Sequence, residues 1–183
     1  MALLTSQSLP LGTALPSFAL PDPAGIIHTS KELTGPKGIL VIIACNHCPY
    51  VKAVWERIAA IGAYALAHGI GAVAINPNIH PDYPEDRPEE MAQLARRLHL
   101  SFPYLVDETQ EIARALNAVC TPEFYLFGHT GLFYHGRLDD NWKDASNVGR
   151  EELKEAIDRL VAGDRPPTEQ IPSMGCSIKW RND

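Results

Sequence analysis

The sequence lacks the features that carry a chain into or across a membrane. The segment from Met1 to Pro21 contains no lysine or arginine and is interrupted by prolines, whereas a signal peptide needs a basic start and an unbroken apolar stretch. The longest apolar run, Ile39 to Cys45, is far too short to cross a bilayer. We therefore expect a cytoplasmic protein that does not bind membranes.

Positive charge and cysteine are also scarce. Sixteen lysines and arginines face twenty-two aspartates and glutamates, which gives a formal net charge of -6. This balance excludes a broad basic surface for nucleic acid or for an anionic membrane. Four cysteines are too few for a disulfide scaffold in a chain of this size, so we expect them to be redox-active, metal-binding or simply buried.

The length fits one domain with a substantial core. The 183 residues contain no internal repeat and no low-complexity block, and 45% hydrophobic with 21% charged residues is ordinary for a folded protein. We predict a single domain over residues 1–183, with a core at about 15–162 and a tail at 163–183 that wraps the surface.

Apolar patterns alternate between strands and helices along the chain. Ile39–Ala44 is a β-branched run typical of a central strand buried on both faces. An apolar stripe from Val51 to Leu66 predicts a helix that Gly69 closes, and a hairpin is predicted around residues 128–131. Further expected elements are strands at 15–20, 70–75 and 102–106, a helix starting at Pro88, and helices at 108–116 and 151–161. This order predicts a three-layer α/β domain whose mixed sheet carries an antiparallel hairpin on one side.

Cys45 and Cys48 form a C-x-x-C pair between the predicted central strand and the following helix. The free N–H groups and the dipole of a helix N-terminus stabilise a thiolate. The thiolate is the reactive species, and such settings lower a cysteine pKa to roughly 3.5–7.5. His47, if charged, would favour the thiolate further. We expect redox chemistry centred on residues 45–49, with no cofactor beyond a Cys45–Cys48 disulfide and no metal.

The position of Pro49 orients the pair. Proline suits the first helical position, where its missing N–H is not needed, and this places Cys48 at the N-cap with Cys45 on the preceding loop. Cys48 is then the attacking sulfur and Cys45 the resolving one. The alternative, a helix that starts at Cys45, puts Pro49 one turn inside the helix, at a higher energetic cost.

Two other interpretations of the pair are open. A structural zinc site usually takes four ligands, often as two close pairs, but the chain has no second C-x-x-C and no H-x-x-x-H. Cys120, Cys176 and scattered histidines would have to converge one by one. The second interpretation, two ordinary core cysteines, is weakened by Asn46 and His47, which are poor core residues.

Thr121-Pro122, just before the strand expected at 123–127, is the other informative element. A cis peptide bond there would expose the preceding backbone for pairing with an extended thiol substrate. The alternative is that Pro122 only begins an edge strand.

With these motifs the chain resembles the thioredoxin-like superfamily, and within it the peroxiredoxin-like (AhpC/TSA-type) group often described as thiol-disulfide isomerase and thioredoxin. The resemblance covers nearly the whole chain. It is carried by residues 18–22 (FALPD), 45–51 (CNHCPYV), 83–86 (YPED), 102–105 (FPYL), 107–108 (DE), 120–124 (CTPEF), 136–140 (GRLDD) and 175–180 (GCSIKW).

The resemblance implies a thioredoxin fold with a central mixed sheet flanked by helices, an N-terminal extension and a C-terminal tail. It also implies a cis bond at Pro122. Aligning Leu40-Val41 with the equivalent strand of membrane-anchored thioredoxin-like reductases places Cys48 at their first catalytic cysteine. Where those proteins have their second cysteine, this chain has Val51. The partner of Cys48 must therefore be Cys45, which precedes it in the sequence.

The peroxidase version of the family needs residues that this chain does not have. In peroxiredoxins the sequence around the attacking cysteine is P-x-x-x-T-x-x-C, and the Thr and a distant Arg activate the peroxide. Matched on Cys48, this chain has Cys45 in place of the Thr and Val41 in place of the Pro, and the Arg is replaced within residues 120–122. A Cys48 thiolate could still be oxidised to sulfenic acid and trapped by Cys45.

Three functions follow from the sequence. The first is a thiol:disulfide oxidoreductase in which Cys48 attacks, Cys45 resolves, and Thr121 and Pro122 shape the groove for protein or small-molecule thiols and disulfides. The second is a peroxiredoxin-like thiol peroxidase and antioxidant that acts on peroxide through Cys48. The third is a non-enzymatic redox sensor or partner-binding module. Residues expected to support the pair are Asn46, His47, Pro49, Thr121 and Pro122. Cys120 and Cys176 are candidates for additional redox cysteines, and the alternative for each is a buried structural thiol.

Overall fold

The computed structural model describes residues 3–181. The strands are β1 (Leu3–Thr5), β2 (Ala19–Pro21), β3 (Ile27–Thr29), β4 (Gly38–Ile43), β5 (Ile70–Asn76), β6 (Tyr104–Val106), β7 (Cys120–Thr121), β8 (Glu123–Gly128), β9 (Gly131–Gly136) and β10 (Met174–Ser177). The helices are α1 (Ser30–Leu33), α2 (Pro49–Ala67), α3 (Pro88–Arg97), α4 (Glu111–Ala115) and α5 (Glu152–Ala162).

The central sheet has five strands in the order β6-β5-β4-β8-β9. β4 pairs parallel with β5 and antiparallel with β8, and all six of its residues are buried. Leu40 and Ile42 pack in the core that includes α2, α3 and α5, whereas Ile39, Val41 and Ile43 pack in the core on the α4 side. The apolar run is therefore buried on both faces, which confirms the three-layer α/β fold with a mixed central sheet.

Helix α2 begins where the proline signal predicts. Cys48 is its N-cap with extended backbone, and Pro49 occupies the first helical position. The helix ends at Ala67, and Gly69 adopts a φ of +80° that an L side chain rarely adopts. The hairpin of β8 and β9, paired antiparallel around residues 128–131, is also confirmed.

Several shorter elements differ from the sequence prediction. The strand expected at 15–20 is limited to β2, which pairs with β3 in a separate two-stranded sheet. The strand expected at 102–106 begins only at Tyr104, and the helix expected at 108–116 begins at Glu111. These segments lie at sheet edges or in loops, where a few local contacts decide the boundary.

The C-terminal segment was expected only to wrap the surface, but it contributes a strand that pairs with two others. β10 lies between β1 and β7 in a three-stranded antiparallel sheet, and Cys176 and Ile178 are buried. β10 has only four residues, which is too short for a periodic pattern, and its partners are far away in the sequence. The sequence therefore did not predict this strand. Among residues 3–181 no helix combines the length and apolar character needed to span a membrane.

Candidate active site

The loop between β4 and α2 carries Cys45 and Cys48. β4 ends at Ile43, and the chain turns through residues 44–48 before α2 starts at Pro49. Both cysteine side chains are fully buried, and all four cysteines are free thiols in the structure. The burial of Cys48 means that a disulfide substrate reaches its sulfur only if the surrounding segments move.

The environment of Cys48 favours the thiolate. The pKa of Cys48 is lowered to about 5, and a hydrogen bond from the Cys45 thiol is the largest cause. Smaller contributions come from the Cys176 thiol and from the backbone N–H groups of Val51 and Cys176, and burial opposes all of these. The Val51 N–H is one of the free donors in the first turn of α2. These groups therefore favour the thiolate of Cys48 over its thiol.

Cys45 has the opposite preference. Burial, followed by the hydrogen bond that it donates to Cys48, raises the pKa of Cys45 well above its usual value. Its Sγ also lies 3.3 Å from Thr121 Oγ1. The two cysteines thus form an asymmetric pair in which one sulfur holds the proton and the other the charge.

Thr121 lies against both sulfurs. Its carbonyl oxygen is 3.3 Å from Cys48 Sγ and accepts a hydrogen bond from the thiol form, while its hydroxyl meets Cys45. The Thr121–Pro122 peptide bond is cis, as the family resemblance implied. Pro122 lines a cavity of about 560 Å³ together with Trp142, Arg137 and residues 171–174 of the C-terminal segment.

Asn46 and His47 are buried as well, although their polarity made a buried position unexpected. Asp86 accounts for this: its fully buried carboxylate accepts hydrogen bonds from the Asn46 N–H at 2.5 Å and from Asn76 Nδ2 at 3.2 Å, and it pairs with His47 Nδ1. The His47 ring also stacks on Tyr83 at 4.2 Å between centroids. His47 is thus held by a carboxylate, and the groups that lower the Cys48 pKa are thiols and backbone donors instead.

Asp86 was not singled out from the sequence. It lies in the YPED segment that marks the family resemblance, but a lone acidic residue in a polar loop gives no signal of burial. The structure shows that a short 3-10 turn, Pro84–Asp86, inserts it beneath the cysteine loop. Among residues 3–181, one group offers three metal-ligand atoms within 4.8 Å of one another, Cys45, His47 and Asp86, fewer than the four protein ligands of a structural zinc site.

The two remaining cysteines have different places. Cys120 Sγ lies 3.8 Å from a Glu123 carboxylate oxygen, and burial together with that carboxylate raises the pKa of Cys120. Cys176 lies opposite Thr121 on β10, and burial followed by its hydrogen bond to Cys48 raises the pKa of Cys176 to about 12. The structure therefore brings Cys176 to the Cys45–Cys48 pair, whereas Cys120 faces Glu123.

Comparison with known proteins places these features in context. The model of the AhpC/TSA family matches residues 11–135. A search of curated proteins gave no match. The structure is similar to an uncharacterised conserved protein from Geobacillus kaustophilus, with 37% identity, a TM-score of 0.93, and coverage of 100% of this chain and 98% of that one.

Two further solved structures are similar. A hypothetical protein from Sinorhizobium meliloti shares 34% identity at a TM-score of 0.90, with 98% of this chain and 99% of that one covered. A putative thiol:disulfide interchange protein DsbE from Chlorobium tepidum shares 18% identity at a TM-score of 0.61, with 85% of this chain and 98% of that one covered. At that identity the similarity concerns the fold alone.

Proposed function

Because the chain belongs to the AhpC/TSA family of the thioredoxin-like superfamily, we propose that it is a thiol:disulfide oxidoreductase in which Cys48 attacks and Cys45 resolves. The observation that carries this proposal is the asymmetry of the pair. The N-cap sulfur has a pKa lowered to about 5 by the neighbouring Cys45 thiol, and that thiol keeps its own proton. The first displacement of disulfide exchange requires an ionised nucleophile, and the thiol beside it resolves the mixed disulfide by giving up its proton as it attacks.

The reaction runs in two displacements. The Cys48 thiolate attacks one sulfur of a substrate disulfide, a Cys48–substrate disulfide forms, and the other substrate sulfur leaves as a thiolate. Cys45 then attacks the Cys48 sulfur, its proton passes to the leaving substrate thiolate, and a Cys45–Cys48 disulfide forms. The substrate disulfide gains two electrons, and an external dithiol returns them by the reverse steps. No cofactor is needed, and the partners are protein or small-molecule disulfides.

Thr121 and Pro122 shape the substrate side of this reaction. The Thr121 carbonyl oxygen lies 3.3 Å from Cys48 Sγ, and its hydroxyl lies 3.3 Å from Cys45 Sγ. The adjacent cavity beside Pro122 carries the apolar Trp142 and the charged Arg137. We assign this cavity to the part of a substrate that flanks the disulfide.

Insulin reduction with dithiothreitol as the donor tests the proposal. The C48S variant is expected to lose the acceleration over dithiothreitol alone, because no other sulfur near the helix N-terminus is ionised. The C120S variant, which makes the same chemical change at a buried cysteine that faces Glu123, keeps it. A C48S variant with full activity would refute the assignment.

A thiol peroxidase is the second candidate. The lowered pKa of Cys48 also suits attack on a peroxide, and the adjacent Cys45 could trap the sulfenic acid. The residues at the Thr and Pro positions of the peroxiredoxin motif are Cys45 and Val41, which disfavours peroxide activation. Stopped-flow mixing with hydrogen peroxide decides: thiol loss no faster than that of free cysteine rules this candidate out.

A further inference from the structure

The C-terminal strand β10 occupies the backbone edge next to the two active-site sulfurs. It pairs antiparallel with β7, with Cys176 opposite Thr121 and Ser177 opposite Cys120. The contact is close: a Cβ built on Gly175 would lie 1.9 Å from the Thr121 carbonyl oxygen. Only glycine lets the strand approach this edge, so the sequence of β10 fits its position beside Thr121.

The strand is also linked to Cys48 through Thr121: Cys176 is paired opposite Thr121, whose carbonyl oxygen lies 3.3 Å from Cys48 Sγ. The thiol and the backbone N–H of Cys176 are also among the groups that lower the pKa of Cys48. With β10 in place, Cys48 has no exposed surface. The strand is therefore both a cover over the attacking sulfur and a source of its hydrogen bonds.

The position of Cys176 corresponds to that of a substrate cysteine. An extended polypeptide that brings a cysteine to Cys48 would gain backbone hydrogen bonds by adding a strand beside Thr121. β10 already holds that place, and the residue opposite Thr121 is itself a cysteine. An internal strand thus presents a thiol to Cys48 as a bound substrate would.

We propose that Cys176 is a third redox cysteine of this site, able to resolve a mixed disulfide on Cys48 in place of Cys45. The inference rests on the proposed function, since it requires Cys48 to attack first. Cys120 does not share this role, because its sulfur faces the Glu123 carboxylate.

The chemistry balances with glutathione disulfide as the oxidant. Cys48 attacks one of its sulfurs, a Cys48–glutathione disulfide forms, and one glutathione leaves as a thiolate. Cys176 then attacks the Cys48 sulfur, its proton passes to the second leaving glutathione thiolate, and a Cys48–Cys176 disulfide forms. Two protein thiols are oxidised, and one disulfide is reduced to two glutathione thiols. β10 moves aside to admit the oxidant and returns for the second step.

The C45S variant isolates the step. Reduced C45S protein is mixed with glutathione disulfide, quenched with acid and digested with trypsin. Cleavage after lysine and arginine, except before proline as at Arg165-Pro166, places Cys48 in residues 38–52, Cys120 in 115–137 and Cys176 in 160–179. Each pairing therefore gives a distinct product in the mass spectrum. We expect residues 38–52 linked to 160–179 and no lasting glutathione adduct.

The double variants supply the controls. C45S/C176S is expected to accumulate the glutathione adduct on Cys48, and C45S/C120S to behave like C45S. C45S/G175A leaves every remaining thiol intact but pushes β10 from Thr121, so it is expected to accumulate the adduct too. A stable adduct in C45S itself would overturn the role of Cys176 and leave the proposed function standing. No reaction at Cys48 in any of these proteins would overturn both the role of Cys176 and the proposed function.

Discussion

Two cysteines three positions apart differ in their ionisation because their surroundings differ. Cys48 caps α2 and receives donors, whereas Cys45 is buried behind it and donates. The N-cap position of Cys48 could be predicted from Pro49 and the apolar stripe that begins at Val51, since proline suits the first helical position. The positions of Asp86 and Cys176 at the site could not be predicted, because each reaches it through a contact between distant parts of the chain.

The pH dependence of alkylation tests this asymmetry. The thiolate of Cys48 is the form that reacts, so the rate with iodoacetamide should be constant at pH values well above 5 and fall as the pH drops through about 5. The C45A variant removes the largest stabilising donor, and its midpoint should move upward. A wild-type midpoint near that of a free thiol, about 8.5, would contradict this account. C48S provides the baseline for the other cysteines.

At the scale of secondary-structure elements, the cysteine loop is joined to the segment before α3. The carboxylate of Asp86 in the 3-10 turn at 84–86 accepts the backbone N–H of Asn46 and pairs with His47. The central strand and α2 could be predicted from periodicity, since both are long and strongly patterned. The junction between them and this turn has no such pattern, because it is made by single polar contacts.

Removal of the Asp86 carboxylate should therefore destabilise the fold. D86A leaves the buried Asn46 N–H and the His47 ring without their acceptor, and hydrogen bonds to a charged group contribute about 1.5–3 kcal/mol each. We expect the free energy of unfolding, measured in urea, to fall by roughly 3 kcal/mol. The neighbouring exposed Glu85 is the control, and E85A should change the free energy of unfolding by less than about 0.5 kcal/mol. Equal effects of both substitutions would refute the role of Asp86.

At the scale of the whole molecule, the site is assembled from three segments that lie far apart in the sequence. The loop after β4, the Thr121 edge and the C-terminal β10 meet at Cys48. The layered architecture followed from the alternation of strands and helices, and the family resemblance supplied the thioredoxin fold. The position of the tail did not follow from either, since a four-residue strand carries too little pattern to show its partner.

We propose that disulfide exchange by this protein passes through Cys48 and Cys45. This proposal is tested most directly by mixing the reduced wild-type protein with one equivalent of glutathione disulfide, quenching with acid and mapping the tryptic peptides. We predict that residues 38–52, which hold both cysteines, lose two hydrogens and contain an internal disulfide while Cys120 stays reduced. Glutathione disulfide consumed while both thiols of residues 38–52 remain free would contradict the account.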